Sequence, residues 1–118
     1  MLQKNNNEII KPTETQKLNL YNFLKNVAEK TGHHLNPDYD FAMDLIDGLL
    51  INKQRYGYMC CPCRLASGDV NADKDIICPC KYRDEDLAEY NTCFCSLYVT
   101  EKVINNEVKA KSIPERRN

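Results

Sequence analysis

Three cysteine pairs of the form C-x-C follow one another in this chain: Cys61/Cys63, Cys78/Cys80 and Cys93/Cys95, with Cys60 directly ahead of the first. All seven cysteines of the 118 residues lie between positions 60 and 95. No other feature constrains the fold as strongly, because separate loops must deliver sulfur to a common place. Stable structural disulfides are uncommon in reducing compartments, and an odd count leaves one thiol over from any framework of disulfides alone. Scattered cysteines would read as small buried hydrophobes. Paired and clustered ones point to metal or redox chemistry.

The compartment expected from the sequence is cytoplasmic. The start of the chain, "MLQKNNNEII", is polar and lacks the apolar core and cleavage site of a secretion signal. No run approaches the roughly 20 apolar residues of a membrane span. A net charge of −1 implies no broad attraction to nucleic acid. Apolar residues make up 42% of the chain, enough for the small core of one domain, which a covalent or metal staple would reinforce.

The cysteines follow a helical lead-in. "TETQ" fits a capping box with Thr13 as N-cap and Gln16 three residues on. Leu20, Leu24, Val27 and Ala28 then recur at helical spacing up to Gly32. A second helix is expected from "NPDYD", with Asn36 as cap and Pro37 at its first position. Ala42, Leu45, Ile46, Leu49 and Leu50 form its apolar stripe, and Gly57 ends it just before the first cysteines. Gly48 weakens this helix unless a close approach needs it. "SGD" at 67–69 reads as a turn, "VNADKDII" as a short helix or loop, "RDEDLAEYN" as a short helix and "SLYVT" as a short extended segment. The expected organisation is a flexible segment 1–12, one domain over 13–104 and a solvated tail 105–118. The fold class expected is mainly α: a small single domain of short helices with the cysteines on loops around a common site.

The sulfurs divide as four plus two. A [4Fe–4S] cluster takes four thiolates, and so does a tetrahedral zinc. Either leaves two of the six paired cysteines for a disulfide or dithiol. Zinc sites usually space their ligands more widely, as C-x₂₋₄-C, which favours iron–sulfur. Pro62 and Pro79 fix the backbone inside two of the pairs. In an extended C-P-C the two sulfurs point to opposite sides, so a functional disulfide is expected between pairs rather than within one. A cluster touching a disulfide would couple one-electron to two-electron chemistry. The residues alone leave open which four sulfurs hold the metal.

"CPCR" at 61–64, "CPC" at 78–80 and "CFC" at 93–95, preceded by "AEKTGHHLNPD" and "LIDGLLINKQRYG", resemble the catalytic subunit of ferredoxin–thioredoxin reductase and the related ferredoxin:disulfide reductases. The likeness spans roughly residues 17 to 100. It implies that Cys61, Cys78, Cys80 and Cys93 hold a [4Fe–4S] cluster, and that Cys63 and Cys95 form the active disulfide. It further implies that Cys63 is the exposed thiol attacking a thioredoxin-like substrate, that Cys95 resolves the mixed disulfide, and that reduced ferredoxin supplies electrons singly.

Several features depart from that pattern. The first spacer, 64–77, is shorter than in plant-type members and the second, 81–92, is longer. Phe94 replaces the histidine usual in the last pair, removing a proton donor. Phe94 suits a shield against water, while His33 and His34 read as surface-loop residues rather than stand-ins. Cys60 has no place in the pattern and reads as a bystander thiol. Arg64, Lys81 and Arg83 flank the pairs, where they would lower thiolate pKa, attract an acidic donor or simply be solvated. Plant-type members work with a second, variable subunit, and these departures point to a relative that acts without it. Two other readings stay open: a structural zinc module with two spare thiols, and a cluster-only electron carrier.

Overall fold

The computed structural model describes residues 8–117, so positions 1–7 of the segment expected to be flexible lie outside the described residues. About half of the chain is helical, with one small sheet. The elements in order are α1 (Glu14–Lys30), β1 (His34–Leu35), α2 (Tyr39–Tyr56), α3 (Val70–Asp73), a 3₁₀ turn at Lys74–Ile76, α4 (Arg83–Tyr90), β2 (Tyr98–Val99) and α5 (Glu101–Ile104). No helix among the described residues is long and apolar enough to cross a membrane.

α1 begins where its capping box predicts. The Thr13 hydroxyl accepts from the Gln16 amide at 3.1 Å, and the Gln16 side chain accepts from the Thr13 amide at 2.9 Å. The helix buries Leu24 and Ala28. α2 buries Ala42, Leu45, Ile46 and Leu49 and stops at Gly57, whose φ of 89° suits glycine. Its start corrects the sequence reading, since the cap is Asp38 and not Asn36. The Asp38 carboxylate accepts from the Phe41 amide at 3.1 Å. Asn36 is engaged elsewhere: its Nδ2 donates to the Ser96 carbonyl at 2.9 Å and its backbone N–H to Leu97 at 2.8 Å.

That engagement belongs to a sheet the sequence reading caught on one side only. β1 pairs antiparallel with β2, His34 opposite Val99 and Leu35 opposite Tyr98. β2 falls inside the expected extended segment, whereas β1 falls in the stretch read as loop. A strand of two residues has no visible alternation, and its partner lies far along the chain.

One apolar cluster joins the helices to the cysteine loops. Leu24, Ala28, Leu45, Ile46 and Leu49 pack with Cys61, Leu87, Cys93, Cys95, Leu97 and Tyr98. Full burial of a side chain such as Leu49 contributes about 1.5–3 kcal/mol. The cysteine loops are therefore part of the core.

Beneath the first loop, the Asp73 carboxylate accepts from the amides of Ser67 and Gly68, the Ser67 hydroxyl and the Tyr58 hydroxyl, the last at 2.6 Å. Most of 105–114 is exposed, as expected of a solvated tail, but residues 115–117 are tied down. Glu115 binds Arg64, Arg116 binds Asp86 and Glu89, and Arg117 binds Asp75 and the Ala72 carbonyl. This strap corrects the expectation of a free tail. Charged side chains in a terminal stretch read as solvated when their partners stand on distant elements.

Candidate redox site

The two C-P-C loops are paired by backbone. Cys60 and Ile77 form an isolated antiparallel bridge. The Cys61 amide donates to Ile76 at 2.8 Å, and the Cys78 amide to Met59 at 2.8 Å. Cys61 and Cys78 thus start from adjacent backbone. After the bridge the first loop turns, with the Arg64 amide donating to the Cys61 carbonyl at 3.2 Å. The peptide bond between Cys78 and Pro79 is cis. The Cys80 carbonyl accepts from the Arg83 amide at 3.1 Å, leading into α4.

The last pair sits on a tight return. The Cys93 amide donates to the Tyr98 carbonyl at 3.0 Å, and the Tyr98 amide to the Cys93 sulfur at 3.3 Å. Ser96, at φ 67°, makes the bend. The bend sets the Cys93 and Cys95 sulfurs 3.9 Å apart. Cys61 and Cys63 also meet through their side chains. The expectation that the two sulfurs of a C-P-C pair point apart assumed an extended backbone, whereas the first loop turns directly after Cys61.

A small cavity is walled by Cys61, Cys78, Cys80, Cys93 and Cys95, with Arg64, Arg83, Phe94 and Tyr98 completing it. The four cysteines expected as cluster ligands are thus brought together, and Cys95 joins them. Cys63 stands at the edge, exposed, in contact with Cys61 and the buried Cys95. Cys60 is fully buried outside this wall, and burial pushes its thiol pKa up. His33 and His34 lie elsewhere, near Asp84 at 3.8 Å and Glu101 at 3.7 Å. Neither takes the place of the histidine that Phe94 replaces.

The thiols are not equivalent. Hydrogen bonds from Cys61 and Cys95 draw the Cys63 thiol down to about 3. A hydrogen bond from Cys95 draws Cys93 down as well. Cys95, buried among the sulfurs of Cys61, Cys63 and Cys93 and sharing hydrogen bonds with them, is held well above the usual range. Burial pushes Cys78 up to about 12 and raises Cys80, against the opposing pull of Arg64. An exposed thiolate beside a buried thiol is the arrangement that attacks a disulfide and then resolves it.

Among the described residues, no group of three or more His, Cys, Asp and Glu side chains is set to hold a single metal ion. Five thiols share one wall, and the two arginines on that wall, Arg64 and Arg83, each keep a buried Nη1 with no hydrogen-bond partner. Buried N–H groups of this kind call for an acceptor. An iron–sulfur cluster, anionic and bounded by sulfur, meets both demands.

Tyr98 is the site residue that the sequence reading missed. Its hydroxyl lies 3.9 Å from the Cys78 sulfur, and Arg83 stacks 4.9 Å from its ring centre. Nothing in "SLYVT" but the proximity of the last pair signals this role.

The family model described as ferredoxin thioredoxin reductase catalytic beta chain matches residues 11–116. Comparison with curated proteins finds no match.

Proposed function

This chain belongs to the ferredoxin thioredoxin reductase catalytic beta chain family, and from that premise we propose that it is a cytoplasmic disulfide reductase of the iron–sulfur type. It takes single electrons from reduced ferredoxin and delivers pairs of them to a disulfide on a thioredoxin-like protein. Cys61, Cys78, Cys80 and Cys93 hold a [4Fe–4S] cluster, which when bound supplies electrons one at a time. Cys63 and Cys95 are the redox-active pair. The core of the domain that does this runs over 13–104, with residues 115–117 fastened onto it by ion pairs.

The observation that carries the reading is the opposite exposure of two cysteines around one sulfur-walled cavity: Cys63 is exposed beside wall residue Cys61, and Cys95 is buried in the wall 3.9 Å from Cys93. Exposure gives Cys63 access to a partner protein, and burial keeps Cys95 against the cavity. The Cys63 thiolate attacks one sulfur of the target disulfide. A Cys63–target bond forms and the other target sulfur leaves as thiolate. Cys95 then attacks the Cys63 sulfur, expelling the second target thiolate and closing a Cys63–Cys95 disulfide. Two electrons and two protons reopen that disulfide, so the target is reduced by two electrons and ferredoxin oxidised by two. Phe94 covers the cavity where a histidine would stand, so the protons come from solvent at the exposed Cys63 edge.

The test uses protein purified without oxygen. Iron, sulfide and zinc are quantified, and free thiols counted before and after reduction. Four irons per chain with two thiols gained on reduction is the expected result. One zinc and no iron would overturn the reading.

A further inference from the structure

One charged assembly beside the cavity takes no part in the exchange steps described above. Arg64 follows the exposed Cys63 directly, yet its side chain is only 3% exposed. The guanidinium lies 4.6 Å from the centre of the Phe94 ring and 5.2 Å from that of Tyr82. Glu115 grips it in a bidentate pair, accepting from Nε at 2.6 Å and Nη2 at 2.8 Å. Nη1 is left over, buried and unpartnered, on a side chain that forms part of the cavity wall and meets Cys80 there.

Glu115 is itself held firmly. Its carboxylate accepts from the Arg117 amide at 2.8 Å. The Arg117 guanidinium binds Asp75 at 2.9 Å, and Asp75 accepts from the Tyr82 hydroxyl at 2.6 Å. Since Arg64 lies over the Tyr82 ring, the circuit Glu115–Arg64–Tyr82–Asp75–Arg117 closes on itself. Such closure fixes a planar guanidinium in one orientation far better than a lone surface pair does.

We propose that Glu115 is a positioning residue of the redox site: it holds Arg64 flat on Phe94, with the free Nη1–H presented to the sulfur-lined cavity, and so makes electron uptake by the group bound there easier. This rests on the cluster reading above. The ion pair is a dipole with its positive end at the cavity and its negative end on the strap. Hydrogen bonds to the sulfurs and local charge set the potential of an iron–sulfur centre, and a buried dipole acts strongly because little water screens it.

The sign of one measurement separates this from simpler roles. A carboxylate acting only through its charge would oppose electron uptake, so its removal would raise the midpoint potential. A positioning carboxylate has the reverse effect, because its removal lets Arg64 swing away.

The experiment is a spectroscopic redox titration of the cluster-loaded full chain with Cys63 and Cys95 reduced to thiols beforehand, so that one electron enters the cluster from the titrant and no covalent bond changes. Arg64→Gln and Glu115→Ala are each expected to make electron uptake about tenfold less favourable, about 59 mV more negative for a one-electron step. The double variant should shift no further than either single one. Glu115→Gln keeps a neutral acceptor in place and should shift less, in the same direction. It preserves the readout if Glu115→Ala loses iron. A positive shift for Glu115→Ala, additive shifts in the double variant, or a lower melting temperature with an unmoved potential would each overturn the proposal. Absence of iron in the parent protein would instead sink the cluster reading before any variant is made.

Discussion

Gly48 of α2 and the ring of Pro62 approach so closely that a β-carbon on Gly48 would stand 3.0 Å from Pro62 Cβ and 3.3 Å from its Cγ. The glycine is there because the first C-P-C loop rests on the helix. Gly48→Ala should gain about 1 kcal/mol of helix propensity and lose about 1–3 kcal/mol to overpacking, for a net loss near 1 kcal/mol. Chemical denaturation measures it. A variant as stable as the parent would show that the loop can move aside without cost.

Cys63→Ser and Cys78→Ser should fail in different ways. The first removes the exposed thiol and leaves the cavity wall intact, so iron stays and disulfide reduction falls to background. The second removes a wall sulfur, so iron is lost. Iron analysis alongside a thioredoxin-reduction assay distinguishes them. Reduction surviving in Cys63→Ser would favour a cluster-only carrier or another nucleophile.

Asp73 makes acid stability partly a property of one carboxylate. The hydrogen bond from Tyr58, with further ones from Ser67 and Gly68, holds its pKa down to about 2. The unfolded value is near 3.9. A folded pKa below the unfolded one stabilises the fold above about pH 4, and that contribution is lost as pH falls toward 2. In Asp73→Asn, stability at neutral pH should fall and its loss between pH 4 and 2 should be shallower. Thermal melts across that range check both. An unchanged acid slope would assign the effect to other carboxylates.

Arg116 fastens the strap to α4 through Asp86, a carboxylate with no exposed surface, and through Glu89. Arg116→Ala should leave Asp86 buried and unpaired, a costly state. Amide exchange over residues 112–117 should then accelerate more than after Lys111→Ala, which breaks no ion pair among the described residues. Equal exchange in the two variants would mean that Glu115 and Arg117 hold the strap alone.

What was legible in the sequence was mostly local. Thr13 and Gln16 cap α1 within three residues of each other, and Gly57 ends α2 by its own backbone freedom. The cysteine pairs announced a redox or metal site through spacing. Errors arose where a residue had a distant competitor. Asn36 has the chemistry of a cap, but Ser96 and Leu97 claim it, and Asp38 caps instead. Arg64 was noticeable as a neighbour of Cys63, while its partner Glu115 stands in a stretch of charge that looks solvated. The turns that bring Cys61 to Cys63 and Cys93 to Cys95 depend on backbone pairing with Ile76 and Tyr98. No local pattern encodes that pairing.

The small sheet has a further consequence for assembly. β1 precedes every cysteine and β2 follows every one, so pairing His34 with Val99 closes a loop containing the whole sulfur set. Closing a long loop costs entropy that grows with its length. Anything that links the first cysteine loop to the last shortens the free path between the strands and lowers that cost. Strand pairing in turn brings the two ends of the sulfur set within reach of each other. On the cluster proposal, maturation and folding are two halves of one cooperative closure, and a chain denied iron should lose its sheet before it loses α1.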